Sequence, residues 1–177
     1  MSLLGSVELH DVIDNGYLDA EHKYVNAASV DIRIGDTILV EEQADGIVDI
    51  DAKENLQWKE VKIPEEGLVI TPGQFFLAHS MEEFNLPDNI SSLFVLRSSM
   101  ARCGLNHLHA GWADGGFNNS KLTFEFHNVT KHHSLRIRSG MRVGQMVMFE
   151  HSHAGEHSYA VKGRYNNSEG VVASKGV

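Results

Sequence analysis

Arginine, serine and carboxylate side chains gather in one stretch of this chain, LRSSMARCGLNHLHAGWADGGFNNSKLTFEFHN at residues 96–128. Its first half reads as a strand that breaks into a short helix. Ser98 and Ser99, directly after Arg97, are hydroxyl residues of the kind that cap a helix, and Gly104 stands where a left-handed residue would end it. The free N–H groups at the start of such a helix, flanked by Arg97 and Arg102, suit a phosphate group. The second half is acidic. Asp114 sits in the glycine-rich turn of residues 110–117, and Glu125 lies between Phe124 and Phe126 on a predicted strand, residues 122–126. Each of these residues also has an ordinary structural use: Glu125 as a solvated strand residue, Asp114 as a turn former, the serines as caps alone, and Arg102 as the partner of an acid on the helix surface.

The elements that must carry these groups are short. Residues 7–15 mix apolar and acidic side chains in a pattern suited to an N-terminal helix, stopped at Asn15-Gly16. Residues 29–40, SVDIRIGDTILV, alternate around Gly35-Asp36 and predict two strands joined by a tight turn. Residues 68–70 and 75–78 predict a second hairpin, turned by Thr71-Pro72-Gly73-Gln74. Between the two, residues 41–60 are acidic and aperiodic, with only Ile47, Val48 and Ile50 reading as strand, and predict an exposed excursion. A helical turn is expected at residues 81–84, a loop at 86–89, and a strand at 92–96 that runs into the serine motif. Further strands are expected at residues 134–138 and 144–150, around Ser139-Gly140-Met141. Many short strands between Gly, Pro and Asn turns predict a mainly antiparallel β barrel or sandwich. A closed β scaffold of this size has little room for a deep private pocket, which favours a site at a subunit boundary closed by the Gly-, Ser- and Asn-rich tail after Gly155.

A chain of 177 residues, 42% hydrophobic and 22% charged, has the length and composition of one ordinary globular domain. The start, MSLLGSVELHD, lacks the basic and long apolar parts of a signal peptide, and no apolar run reaches membrane-spanning length, so a cytoplasmic protein is expected. The single cysteine, Cys103, excludes an internal disulfide and any multi-cysteine zinc site, and is expected as a small core residue at a helix end. A net charge of −9 argues against long nucleic acid, whose affinity comes from neutralising many phosphates. A small anion needs few cations, and the basic residues do cluster: Arg97 and Arg102, then Arg136, Arg138 and Arg142, then Lys162, Arg164 and Lys175. The 11 histidines raise a metal reading in which His107 and His109 join His151, His153 or His157, but no carboxylate stands at a spacing that completes the set.

The motifs also occur in a set order. They are Ser29-Val30-Asp31-Ile32-Arg33-Ile34-Gly35, the Pro72-Gly73 turn, Leu86-Pro87-Asp88, the arginine and serine motif from Arg97 to Leu105, and Ala110-Gly111-Trp112-Ala113-Asp114. Leu122-Thr123-Phe124-Glu125, Gly140-Met141-Arg142-Val143-Gly144-Gln145 and a tail from Arg164-Tyr165 to Ser174 follow. Together they resemble the dCTP deaminases, including the bifunctional dCTP deaminase/dUTPases, within the trimeric dUTPase-like superfamily. The resemblance implies a single domain over residues 1–177, a distorted antiparallel β barrel with short helices that forms a homotrimer, with sites at subunit interfaces and residues 155–177 as a flexible C-terminal lid. It implies hydrolytic deamination of dCTP without zinc. That agrees with the cysteine count, because zinc-dependent base deaminases hold their metal with a His-x-Glu and a Pro-Cys-x-x-Cys.

By position in the resemblance, Glu125 matches the general base, and Ser98 and Arg102 match the polar pair near the reacting group. Arg97, Ser99 and Gln145 match phosphate contacts. Asp114 matches the aspartate that grips the deoxyribose and, in dUTPases and bifunctional members, activates the water that attacks the phosphate chain. Ala110, Gly111, Trp112, Tyr159, Lys162, Arg164 and Tyr165 match further substrate-binding positions, and Mg²⁺ is expected on the triphosphate, held by phosphate oxygens and water. The chain departs from the family pattern in a shorter loop before Asp114, a longer one between Phe117 and Leu122, His109 in place of a common threonine, and Arg164 and Ser168-Glu169 in the tail. Ala110-Gly111-Trp112 is more similar to the bifunctional members, which favours dUMP over dUTP as product. Two other readings stay open at this level: a dUTPase alone, and a nucleotide-binding regulatory homologue whose altered tail has lost turnover. A modified pyrimidine nucleotide is a further candidate substrate.

Overall fold

The computed structural model describes residues 2–52 and 56–176; residues 53–55 of the expected excursion lie outside this part. The chain runs through β1 (Ser2–Leu3), α1 (Ser6–Asp14), β2 (Val30–Glu41), β3 (Trp58–Lys62), β4 (Leu68–Ile70), β5 (Phe75–Phe84) and β6 (Ile90–Leu96). It continues through α2 (Ser98–Arg102), β7 (Leu105–His107), β8 (Trp112–Ala113), β9 (Ser120–Asn128), β10 (Leu135–Ile137), β11 (Arg142–Glu150) and α3 (Tyr159–Lys162). Nine strands form one antiparallel sheet in the order β7-β9-β5-β2-β11-β6-β8, with β1 beside β11 and β3 beside β2, while β4 and β10 pair separately. The expected mainly antiparallel β architecture with short helices is the one observed.

The long strands are two-faced because their sequences alternate. On β9 the side chains of Leu122, Phe124 and Phe126 are buried, while those of Lys121, Thr123 and Glu125 between them are not. The Phe124 ring centroid lies 4.4 Å from that of Phe94 on β6, and Phe126 lies 5.5 Å from Phe76 on β5. Burying these rings supplies much of the drive that curls the sheet over one core. Helix α1 adds Leu9 and Val12 to it. Among the described residues no helix is long and apolar enough to cross a membrane.

Several local expectations are corrected. Residues 29–40 are not a hairpin: β2 runs unbroken through Gly35, where an added Cβ would lie 2.0 Å from the His79 ring, so the glycine serves close packing and not a turn. The register with β5 slips there, between Ile34 and Ile38, as a bulge. Residues 68–70 and 75–78 do not pair with each other, since β4 takes β10 and β5 lies between β2 and β9. Asn128 ties the connecting turn, its Nδ2 donating to the Ile70 carbonyl at 3.0 Å and its own carbonyl accepting from the Gly73 N–H at 2.8 Å. Residues 81–84 continue β5 instead of making a helical turn, because Glu82 is buried and its carboxylate accepts from the Arg33 backbone N–H at 3.0 Å and from Arg33 Nε at 2.7 Å. Ile47, Val48 and Ile50 lie in a loop and not in a strand.

The packing of Phe124 gives the first test. Phe124→Ala is expected to lower the unfolding free energy by about 3–5 kcal/mol in denaturant titration, and a loss under about 1 kcal/mol would contradict its place at the centre of the core.

Candidate active site

Glu125 sits in the middle of β9, opposite Leu77 of β5, and its carbonyl accepts from the Leu108 N–H at 3.0 Å just beyond β7. With Phe124 and Phe126 committed to the core, its side chain leaves on the other face and enters a cavity of about 720 Å³. Leu77 and Thr123 supply sheet around it, and Ala110, Trp112 and Phe117 line one side. Val48, Ile50 and Leu56, from the loop between β2 and β3, form an apolar wall. The tail completes the enclosure with Tyr159, Tyr165 and Val172. It is laid along β9: the Ser168 carbonyl accepts from the Lys121 N–H at 2.8 Å, and the Val172 N–H donates to Thr123 Oγ1 at 3.2 Å.

The Glu125 carboxylate has two unlike oxygens. Oε2 is sealed from solvent with no hydrogen-bond partner, while the side chain as a whole is 27% exposed, which leaves Oε1 as the oxygen facing the cavity. Burial pushes the carboxyl from 4.5 up to about 7. His107, the last residue of β7, lies beside it with its ring against Phe94, Phe124 and Phe126. Its Nε2 is 3.6 Å from Glu125 Oε2 and is also sealed and unpartnered. Burial holds His107 down at about 4, so the ring is neutral around pH 7.

A second polar cluster forms around Asp31 of β2, whose side chain is almost wholly buried. Arg97 Nη1 donates to its Oδ2 at 3.2 Å and Arg142 Nη1 at 3.0 Å, while Asn26 Nδ2 and Gln145 Nε2 approach Oδ1 at 3.2 Å and 3.5 Å. Helix α2 starts at this cluster. The cap residue is Arg97, Ser98 is the first helical residue, and no side chain caps the helix, so the expected serine caps are not made. Ser98, Ser99 and Arg102 are exposed. Gly104 takes the expected left-handed conformation, with φ of 89°. Cys103 is exposed and not in the core, because this short helix buries none of its residues.

The single chain thus divides the residues singled out from the sequence. Glu125, Ala110, Trp112, Tyr159 and Tyr165 share the cavity. Arg97 and Gln145 share Asp31, with Ser98, Ser99 and Arg102 on the adjoining helix, and none of these five lines the cavity. Asp114 is exposed and joined to the cavity through Trp112, whose Nε1–H donates to its Oδ1 at 2.7 Å. Gly111 lies behind that wall, where an added Cβ would come 2.8 Å from Phe94 Cβ. Lys162 Nζ meets His157 Nδ1 at 3.1 Å, and Arg164 Nη1 donates to the Gly176 carbonyl at 2.7 Å, both outside the cavity lining. In the sequence Asp31 belongs to a motif without an assigned role, and His107 is raised only as a metal ligand. The available signal was polarity at core-facing strand positions. Among the described residues no three His, Cys, Asp or Glu side chains are arranged to hold a metal ion.

A family model described as dCTP deaminase-like matches residues 3–151. The chain is 35% identical over 152 residues to a protein of Persephonella marina named dCTP deaminase, dUMP-forming, covering 85% of this chain and 82% of that one. It is 31% identical over 176 residues to a protein of the same name from Aquifex aeolicus, covering 98% and 94%. The fold matches the crystal structure of the 2'-deoxycytidine 5'-triphosphate deaminase from Agrobacterium tumefaciens with a TM-score of 0.66 at 18% identity, over 82% of this chain and 47% of that longer chain.

The state of Glu125 predicts a pH effect on stability. Its carboxyl titrates at about 7 when folded and at 4.5 when unfolded, so between those values the folded chain keeps a proton the unfolded chain has lost. The stabilisation is full below pH 4.5 and is lost as the pH rises through about 7. Measured against Glu125→Gln, which cannot titrate there, the wild-type chain is expected to lose relative stability across that window. A pH-independent difference would contradict the shift.

Proposed function

The chain belongs to the dCTP deaminase-like family, and we propose that it deaminates dCTP hydrolytically, without zinc, and carries the product on to dUMP. The observation that carries this is the half-buried Glu125 carboxylate, one oxygen sealed and the other open to the cavity, poised near 7 by burial. A base that must take a proton from water and return it to a leaving group works best when its pKa lies near the working pH. Glu125 Oε1 takes a proton from water as the water oxygen adds to C4 of the cytosine. The carboxyl then returns the proton to the exocyclic nitrogen, the C4–N bond breaks and ammonia leaves, while the remaining proton of the new C4 hydroxyl passes to N3 to give uracil. The named relatives and Ala110-Gly111-Trp112 support the second step, in which Asp114 activates a second water that attacks phosphorus and releases diphosphate. Magnesium enters with the nucleotide, as part of the substrate.

Ser98, Arg102 and the phosphate contacts Arg97, Ser99 and Gln145 reach this chemistry from another copy of the chain. Support comes from their position on and beside α2, outside the cavity that holds Glu125. A homotrimer with a site at each junction unites the two halves, and the tail closes over it.

Three measurements check this. Incubated with dCTP and magnesium, the protein is expected to yield dUMP, with kcat/KM rising with pH through about 7 as Glu125 ionises. Glu125→Gln is expected to keep nucleotide binding and lose about 10²- to 10⁴-fold in deamination, whereas Asp114→Asn lets dUTP accumulate; normal deamination by the first variant would remove Glu125 from its role. Co-expressing Glu125→Gln with Arg102→Ala is expected to restore part of the activity that each lacks alone, because some junctions then pair an intact Glu125 with an intact Arg102. No restoration would place both residues in one chain's site.

A further inference from the structure

The pair His107 and Glu125 carries more than the base assignment on which this inference rests. Both facing atoms, Nε2 and Oε2, are sealed from solvent and lack any other partner. A buried polar atom left unpaired keeps its full desolvation cost, so two such atoms 3.6 Å apart are there to meet each other. At 3.6 Å the pair lies within ion-pair range and just beyond hydrogen-bond distance, so a small shift of either side chain makes the bond.

The tautomer of His107 follows from its other nitrogen. The backbone turns left-handed at His109, with φ of 63°, and the His109 N–H donates to His107 Nδ1 at 3.3 Å. A backbone N–H can only donate, so Nδ1 holds a lone pair, and the single proton of the neutral ring is on Nε2. That proton points at Glu125 Oε2. With one nitrogen accepting and the other donating, the ring has no lone pair left for a metal, which removes the ligand role its sequence position raised.

We propose that His107 is the positioning residue of Glu125: protonated on Nε2, it clamps Oε2 as the carboxylate ionises and so assigns Oε1 as the oxygen that takes and returns the proton. The carboxylate cannot then rotate its two oxygens between sealed and open sides during turnover. The groups facing this pair are few. His109 is beside the ring on the same turn, the surroundings on β6 and β9 are the rings of Phe94, Phe124 and Phe126, and the ionisable groups on the cavity side are Lys121, Tyr159 and Tyr165.

Two experiments test it. Imidazole ¹⁵N NMR of the wild-type protein is expected to show His107 with a pyrrole-type Nε2 and a pyridine-type Nδ1, unchanged from mildly acidic to mildly basic pH. An Nδ1-protonated or cationic ring at neutral pH would overturn the proposal, whether or not the protein turns over dCTP. In kinetics, His107→Phe keeps an aromatic ring but no donor, and is expected to lose about 10- to 100-fold in kcat with little change in KM. A donor to a carboxylate favours its ionised form, so this variant should also move the acid limb of the pH profile upward by roughly one unit. His107→Gln, whose amide N–H reaches the place of Nε2, is expected to recover most of kcat and the original profile. Equal losses in both variants, or no loss in the first, would count against the clamp. A wild-type protein with no deaminase activity would instead refute the functional reading, and the NMR result would still decide the tautomer.

Discussion

The alternation along β9 is the constraint on which the site depends. Phe124 and Phe126 are held in the core by rings from β5 and β6, so the residue between them has one face available to it. A strand has a side-chain period of two, and slipping β9 by one residue would place Glu125 among the phenylalanines and their rings in the cavity. The energy that fixes the direction of the carboxylate is therefore hydrophobic. The same packing presses His107 against Phe94, Phe124 and Phe126, which strips both polar groups of water and pushes their proton affinities in opposite directions.

Asp31 plays the corresponding part at the cationic end. Two guanidinium groups and two side-chain amides converge on one buried carboxylate, which lets Arg97 and Arg142 come close without the full repulsion of like charges. It also leaves them donors to spare, since each guanidinium carries five N–H groups and spends one here. The helix that follows offers its first turn uncapped. Such an end leaves its first backbone N–H groups without a side-chain acceptor, and it lies outside the cavity that holds Glu125.

Much of this is legible in the sequence. Alternation announced β9, the β class and the buried flank of Glu125, and the glycine at position 104 announced the end of α2 by its left-handed backbone. The errors share a cause. Gly35 suggests a turn because glycine permits turns, but its neighbour across the sheet is the His79 ring, and only tertiary structure reveals that a missing side chain makes room for a present one. Residues 81–84, expected as a helical turn, continue a strand because Glu82 is buried against Arg33, far away in sequence. Likewise the pairing of β4 with β10 joins segments too distant for a local rule to find. The contact of His107 with Glu125 is hidden for the same reason, since their proximity is made by the pairing of β7 with β9.

The loop between β2 and β3 has a further meaning. It contributes Val48, Ile50 and Leu56 to the cavity wall, yet it belongs to none of the strands that carry Glu125, His107 or Asp31. The apolar wall of the cavity and the strand that directs Glu125 into it are therefore different elements of the chain. A substitution at Val48 or Ile50 would reshape the cavity without touching the phenylalanine packing that fixes the direction of Glu125.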